Sequence, residues 1–314
     1  MNTNSAPRYL RVSLLSACNL RCSYCQPAGK SRSTITAPDD KVRAAIRILH
    51  RFGIRKVRFT GGEPTLYKNL YGLVSFVKAM DRDVHTAVTS NGVLLESKAQ
   101  KLSAAGLDSV NISLDTLDPA KFRALTGSYY LNRVISGIEA AVEYIGNVKL
   151  NCVLIRGFND YEVDKLISFA DSHGLDIRFI EFMPNRYSTP NDPRFISSQE
   201  IRDRLPWNLQ ETPRKPNSAA QYYITPSLKI RVGFISSVSR PFCEGCDRIR
   251  LTADGQLYTC LYDSRSVNLF DLLNADPIRV QAEIEKLVQL KQSGGCHRTT
   301  DPITNLPSFS AIGG

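Results

Sequence analysis

Long apolar runs are missing from this sequence. Nowhere in its 314 residues does a stretch approach the roughly 18–20 apolar residues that cross a bilayer. The opening segment, Met1 to Tyr9, is short and polar and lacks the apolar core of a secretory leader. These absences predict a soluble, cytoplasmic protein. Basic runs of five or more are also missing, although Lys plus Arg (40) exceeds Asp plus Glu (30) for a formal charge of +10. Scattered positive charge fits a solvated basic surface or a polyanionic partner, and nucleic acid and a nucleoside triphosphate both qualify. A complete phosphate-binding P-loop is absent too. Ala28-Gly29-Lys30-Ser31 ends like one, but Tyr24 stands where the first glycine belongs and Cys25 falls inside the motif. Any triphosphate must therefore be bound by arginines and lysines.

What is present is an ordinary globular balance, 42% hydrophobic and 22% charged, enough for one large domain or one large plus one small. Helix-period and strand-like segments alternate through the first 185 residues. Val42, Ala45, Ile46, Leu49 and Phe52 share a helical face. Asp118-Pro119 reads as an N-cap with proline in the first turn. A helix-ending glycine, an aliphatic residue and then a strand recur at Gly53-Ile54, Gly106-Leu107 and Gly174-Leu175. Six such units, with strands near Leu10–Leu15, Val57–Thr60, Thr86–Thr89, Val110–Leu114, Lys149–Ile155 and Asp176–Met183, predict a parallel sheet, doubly wound or curved into a partial barrel. In either, chemistry belongs to the loops after the strand C-termini. Residues 185–220 read as a linker with one short helix, and short strands around turns follow. The expected organisation is a barrel over 1–185 and an extension over 186–314.

Eight cysteines are present, and six fall in two groups. Without a leader, clustered cysteines bind metal more often than they form disulfides. The first group is Cys18-x3-Cys22-x2-Cys25. Iron–sulfur clusters usually take four cysteines, so three leave one iron open; a zinc site borrowing a distant ligand is the other reading. The second is Cys243-x2-Cys246-x13-Cys260, where zinc and iron–sulfur are equally open and Cys296 or His297 could complete a zinc set. Cys152 and Cys296 read as structural thiols. Arg248 and Arg250 share a strand face beside the second group, and paired guanidiniums suit phosphate or carboxylate oxygens. Thr60-Gly61-Gly62-Glu63-Pro64 follows the second strand, and Glu63 supplies a carboxylate for an ammonium. Polar or cofactor-type residues recur at later strand ends: Thr89, Ser90 and Asn91, then Ser113 and Asp115, then Met183.

Cys18-Asn-Leu-Arg-Cys22-Ser-Tyr-Cys25 resembles the signature of the radical S-adenosylmethionine superfamily, including the aromatic Tyr24 before the third cysteine. The resemblance implies a [4Fe–4S] cluster on Cys18, Cys22 and Cys25. Its open iron would chelate S-adenosylmethionine and cleave it to a 5′-deoxyadenosyl radical. It further implies cofactor contacts from Tyr24, Gly62, Glu63, Ser113 and Met183. The second cysteine group, with Arg248-Ile-Arg250 after it and Gly313-Gly314 at the end, is similar to the GTP 3′,8-cyclase family of molybdenum-cofactor biosynthesis. That resemblance spans Arg11 to Gly314. It implies an incomplete (β/α)6 TIM-type barrel with a C-terminal cluster extension, and a second [4Fe–4S] cluster on Cys243, Cys246 and Cys260 meeting guanine.

The same resemblance gives substrate contacts to Arg11, Arg58, Thr89, Lys149, Arg178, Arg248 and Arg250, and catalytic roles to Arg248, Arg250, Gly313 and Gly314. Collected at strand ends, these arginines and lysine would form a basic funnel for the triphosphate of GTP. The implied partners are GTP, an electron donor of flavodoxin or ferredoxin type and the cyclic pyranopterin monophosphate synthase that takes the product. A homodimer is expected, and neither nucleic acid nor membrane. Ser16-Ala17, Gln26-Pro27 and Asp247 depart from the family pattern and leave room for a paralogue acting on another nucleotide or a peptide. A zinc-stabilised nucleic-acid-binding protein is the rival of another class; it calls for a stripe of basic and aromatic residues, which the sequence does not show.

Overall fold

The computed structural model describes residues 7–25, 34–184 and 191–294, together with Ile312. Gln26, Cys296, His297, Gly313 and Gly314, singled out above, lie outside the described residues. Six β–α units come first: β1 (Tyr9–Ser13), α1 (Asp39–Arg51), β2 (Lys56–Thr60), α2 (Leu70–Met80), β3 (His85–Ser90), α3 (Leu95–Ala104), β4 (Ser109–Ser113), α4 (Pro119–Thr126), α5 (Leu131–Tyr144), β5 (Val148–Leu154), α6 (Val163–Ser172) and β6 (Asp176–Glu181). The sixth strand stops two residues short of Met183, its expected end.

The expected glycine stops are present. Gly53, Gly106 and Gly174 have φ of 97°, 95° and 66°. The amides of the next residues, Ile54, Leu107 and Leu175, donate back to Leu49, Leu102 and Ala170 at 3.3, 3.0 and 2.9 Å. These are six-to-one helix closures in which a left-handed residue satisfies orphan carbonyls. The aliphatic residue after each glycine is buried, so each stop also aims the chain into the next strand. Asp118 caps α4, accepting from Ala120 and Lys121 at 2.8 and 3.0 Å. By contrast, α2 has no side-chain cap but buries Leu70, Leu73, Val74 and Val77. A cap contributes about 1 kcal/mol and each buried aliphatic about 2 kcal/mol, so packing holds that helix.

Beyond β6 come α7 (Ser198–Arg204), β7 (Gln210–Glu211), β8 (Gln221–Ile224), β9 (Val232–Ile235), β10 (Arg248–Leu251), β11 (Gln256–Tyr258), β12 (Ser266–Asn268), α8 (Leu269–Leu272) and α9 (Pro277–Gly294). All described strands form one sheet in the order β12-β11-β10-β1-β2-β3-β4-β5-β6-β9-β8-β7. The six β–α strands run parallel, and β10 and β9 extend them in parallel at opposite edges. The residues after 185 therefore do not pack as a separate layer. They widen the same partial barrel on both sides and end it in antiparallel hairpins. Leu10, Val12, Val57, Phe59, Ile177 and Phe179 point outward under the helices and are fully buried. The alternate positions face the concave lumen.

Candidate active site

The first cysteine group lies in the loop after β1, and the loop after β2 holds it in place. The amides of Gly62 and Glu63 donate to the carbonyls of Leu15 and Ala17 at 2.7 and 2.8 Å. A β-carbon on Gly62 would sit 2.1 Å from the Ala17 carbonyl oxygen, so only glycine permits this approach. The Glu63 side chain turns inward, 1% exposed. It accepts from the Thr65 amide and hydroxyl at 3.0 and 2.6 Å, from Ser90 Oγ at 2.8 Å and from the Asn91 amide at 2.7 Å. Burial raises its pKa and these hydrogen bonds oppose the rise. Both oxygens are thus engaged within the protein. These bonds fix the carboxylate expected to meet an ammonium within the turn that carries Gly62 and Asn91.

Hydrogen-bond donors surround Cys18. The Leu20 amide donates to its Sγ at 3.4 Å and Asn91 Nδ2 at 3.6 Å. The Cys25 amide closes on the Cys22 carbonyl at 3.0 Å. Tyr24 Oη donates to Asp115 Oδ2 at 2.8 Å, while the Val153 amide donates to Asp115 Oδ1 at 2.8 Å. Burial drives the Cys22 thiol upward, and Asp115, Cys25 and Cys18 add negative charge around it. Three crowded thiols with N–H···S donors fit a cationic cluster that takes thiolate ligands. No three His, Cys, Asp or Glu side chains among the described residues gather tightly enough for one ion. A cube of irons spreads its ligands over separate corners and needs no such convergence.

The second group stands at the other end of the sheet. Cys243 opens a short 3₁₀ turn, and the Cys246 amide donates to the Cys243 carbonyl at 3.0 Å. These two residues precede β10, whereas Cys18 follows β1, and β1 and β10 are parallel. Cys260 follows β11, which runs antiparallel to β10 and so ends at the same edge. The Tyr262 amide donates to its Sγ at 3.4 Å. Topology therefore puts one cysteine group at each end of the lumen.

Between them lies a cationic row. Arg250, Arg11 and Arg58 occupy equivalent positions on β10, β1 and β2, and Arg248, Tyr9 and Lys56 form the row below. Arg58, 4% exposed, donates to Tyr9 Oη at 2.5 Å, Val88 O at 2.7 Å and Thr89 Oγ1 at 3.2 Å. Burial, opposed by Tyr9 and reinforced by Arg250, Arg58 and Arg248, brings Arg11 down to about 9. Burial also lowers Arg250 and Arg178. Arg178 donates to Asn151 Oδ1 at 2.9 Å, and its Nη2 is buried without a hydrogen-bond partner among the described residues. Arg250 Nη1 donates to the carbonyl of buried Ile312 at 3.4 Å. Guanidiniums gathered on one face in this way suit the oxygens of a polyanion.

Sequence comparison bears on the same elements. A model described as the radical SAM superfamily matches residues 12–170, and one described as Molybdenum Cofactor Synthesis C matches residues 175–295. The chain is 37% identical over 292 residues to the GTP 3′,8-cyclase of Alkaliphilus oremlandii, covering 90% of each chain. It is 40% identical over 270 residues to that of Syntrophomonas wolfei, covering 83% of this chain and 82% of the relative. This chain belongs to the radical SAM superfamily and, within it, to the GTP 3′,8-cyclase family. It is also 38% identical over 278 residues to Molybdenum cofactor biosynthesis protein 1 of Drosophila melanogaster, covering 86% of this chain but spanning about half (49%) of that protein. Streptococcus suis SuiB bound to S-adenosylmethionine superposes with a TM-score of 0.64 at 16% identity, covering 97% of this chain and 72% of SuiB. Native anSMEcpe with bound AdoMet gives 0.62 at 17%, covering 96% and 93%. These two likenesses establish the partial-barrel fold. Superfamily membership implies S-adenosylmethionine and a [4Fe–4S] cluster.

Within this radical SAM chain, the expected site residues divide by height along the strands. Tyr24, Gly62 and Glu63 lie with Cys18, Cys22 and Cys25 at the C-terminal rim. So do Ser113, the last residue of β4, and half-buried Met183, just past β6. Of the arginines expected at strand ends, Arg11, Arg58, Arg178 and Arg250 lie within the strands instead. Arg11 and Arg58 are the central residues of β1 and β2, Arg178 and Arg250 lie inside β6 and β10, and Arg248 alone stands at a strand end, opening β10. Alternation allows this, because every second residue of a barrel strand faces the lumen. Lys149 is lower still: its Nζ is 3.6 Å from Asp176 Oδ2, which Arg231 also holds.

Sequence reasoning missed Tyr9 and Lys56. Each lies two residues before a chosen arginine on the same strand face, so alternation alone could have found them. It also left Asn91 and Asp115 without a role, and their contacts with Cys18 and Tyr24 cross long sequence separations. Cys152, expected to be structural, is fully buried and accepts from Asn159 Nδ2 at 3.5 Å.

Proposed function

We propose that this chain cyclises GTP to (8S)-3′,8-cyclo-7,8-dihydroguanosine 5′-triphosphate, the first step of molybdenum-cofactor biosynthesis. One observation carries the reading: the lumen has a cysteine group at each end and a row of buried and half-buried arginines between them. In this reading Cys18, Cys22 and Cys25 hold the cluster of the superfamily, and Cys243, Cys246 and Cys260 hold a second [4Fe–4S] cluster. S-adenosylmethionine and its cluster supply a one-electron cleavage of the sulfonium that yields a hydrogen-abstracting 5′-deoxyadenosyl group.

The chain's own residues do the rest. Tyr24, Gly62, Glu63, Ser113 and Met183 shape the cofactor pocket at the rim, with Glu63 acting through the turn it builds. Arg11, Arg58, Lys149 and Arg178, with Thr89, take the triphosphate. The guanine end then faces Cys243, Cys246 and Cys260, and the ribose C3′ faces the rim. This orientation places the 3′ hydrogen toward the first cluster and leaves guanine C8 within reach of the ribose. Arg248 and Arg250 flank the base and act in the cyclisation, and the family resemblance gives Gly313 and Gly314 a catalytic role with them. An electron donor of flavodoxin or ferredoxin type, transfer of the product to cyclic pyranopterin monophosphate synthase, a homodimer and a cytoplasmic location complete the reading. No helix among the described residues is long and apolar enough to cross a membrane.

Anaerobic purification with iron, sulfide and zinc analysis tests it first. About eight irons and eight sulfides per chain support two clusters. About four remove the second cluster and the GTP assignment, and zinc without iron removes the reading altogether.

A further inference from the structure

A second set of arginines surrounds an open cavity on the outer side of the sheet. A β-carbon on Gly233 would lie 2.9 Å from Arg178 Cγ and 3.0 Å from Tyr222 Cε1, so these three share the lumen face. Alternation turns Tyr223 and Phe234 the other way. Their rings meet edge to face at 5.7 Å, and Phe234 lies 5.7 Å from outward-facing Phe179. Above these rings, α7 and two loops leave a cavity of about 270 Å³.

Arg202 from α7, Arg214 from the loop after β7 and Arg240 from the loop after β9 line this cavity, and no lining residue is acidic. Neighbouring arginines do have carboxylate partners. Arg204, two residues along the same helix, pairs with Asp160 at 3.4 Å and also with Glu200. Arg156, Arg194, Arg231 and Arg265 each have a carboxylate at 2.9 Å or closer. Among the described residues, none pairs with Arg202, Arg214 or Arg240. Arg202 lies over the Tyr223 and Phe234 rings at 4.7 and 5.9 Å and donates to Tyr223 Oη. Its buried Nε has no hydrogen-bond partner among the described residues. The loop bearing Arg240 is pinned from below: Glu181 accepts from the amides of Val238 and Ser239 at 2.9 and 2.8 Å.

Glu211 accepts from Tyr223 Oη at 3.3 Å and Glu181 from Ser239 Oγ at 2.5 Å behind the cavity wall. Neither forms an ion pair with the three guanidiniums, and an anion between them would offset their mutual repulsion. We propose that this cavity is a second anion site, independent of the lumen, for a compact ligand of the pyrophosphate class. Planar guanidinium forks match phosphate oxygens. The rings beneath are 5% and 2% exposed and offer no free face to a nucleobase, which favours the charged group over a whole nucleotide.

Cluster-loaded full-length protein carrying Arg11→Gln and Arg178→Gln, which silence the lumen, is titrated with inorganic pyrophosphate and followed by calorimetry and thermal melting. One binding event with a rise in Tm is expected. Adding Arg214→Gln and Arg240→Gln, both at exposed positions, is expected to weaken it at least tenfold without changing the ligand-free Tm. Adenosine diphosphate binding as tightly identifies a phosphate ester as the source, and weaker binding identifies free diphosphate. If the lumen-silenced chain does not bind pyrophosphate, or binds it equally after the outer substitutions, the proposal is overturned. Neither result touches the GTP reading, which the lumen arginines carry.

Discussion

Arg58 Nε donates to Tyr9 Oη across 2.5 Å, joining adjacent strands inside the lumen. Lys56 and Arg248 lie over the Tyr9 ring at 5.1 and 5.8 Å. Burial opposes ionisation of this phenol, but Arg58, Arg11, Lys56 and Arg248 together outweigh it and bring its pKa from 10.0 to about 7. The phenolate then places a negative charge inside a cationic row. Because the folded pKa is the lower, its stabilising effect is full above about pH 10, shrinks as pH falls and is gone below about 7. Tyrosinate absorbance should show one group titrating near neutrality that Tyr9→Phe removes. The stability gap between wild type and Tyr9→Phe should widen from pH 7 to 10. A gap that does not change with pH would contradict this.

Glu63→Ala leaves four donors, from Thr65, Ser90 and Asn91, facing a void. Unsatisfied buried donors cost about 1–3 kcal/mol each, and relaxation recovers part. A loss of about 3 kcal/mol in urea unfolding is expected. A loss under about 1 kcal/mol would show that this turn does not depend on the carboxylate.

Gly62→Ala forces a methyl group to within 2.1 Å of the Ala17 carbonyl oxygen. The two loops must part, and the thiols of Cys18, Cys22 and Cys25 part with them. If the proposed second cluster is present, iron per chain should fall by about half and the remaining signal should be that of Cys243, Cys246 and Cys260. Full iron content would mean that the first cysteine loop tolerates the displacement.

Arg178 has a buried Nη2 awaiting an acceptor. Arg178→Ala should weaken GTP binding at least tenfold, about 1.4 kcal/mol, and leave guanosine binding unchanged. Equal weakening of both ligands would move Arg178 away from the triphosphate.

The fold was legible because its signals are local. Helix-stopping glycines at Gly53, Gly106 and Gly174 and the aliphatic faces of α1 to α6 follow from short-range periodicity. The placement of β9 and β10 on opposite edges of the sheet was not, since sequence order says nothing about which edge a late strand joins. The cysteine groups and Gly62 could be read from spacing. Alternation from Arg11 would have put Tyr9 on the lumen face, but the cations around its ring come from β2 and β10 and are visible only in the fold. At Glu63 the residue was legible from its turn, while the four donors on its carboxylate come from the chain around Thr65, Ser90 and Asn91 and were not.

The central claim is that the first cysteine group faces the ribose of a GTP anchored by the arginine row. Anaerobic turnover of the reduced, cluster-loaded chain with S-adenosylmethionine and GTP deuterated at C3′ tests it directly. Deuterium in 5′-deoxyadenosine, with formation of the 3′,8-cyclised nucleotide, is the predicted result. Unlabelled 5′-deoxyadenosine with GTP recovered intact would contradict it.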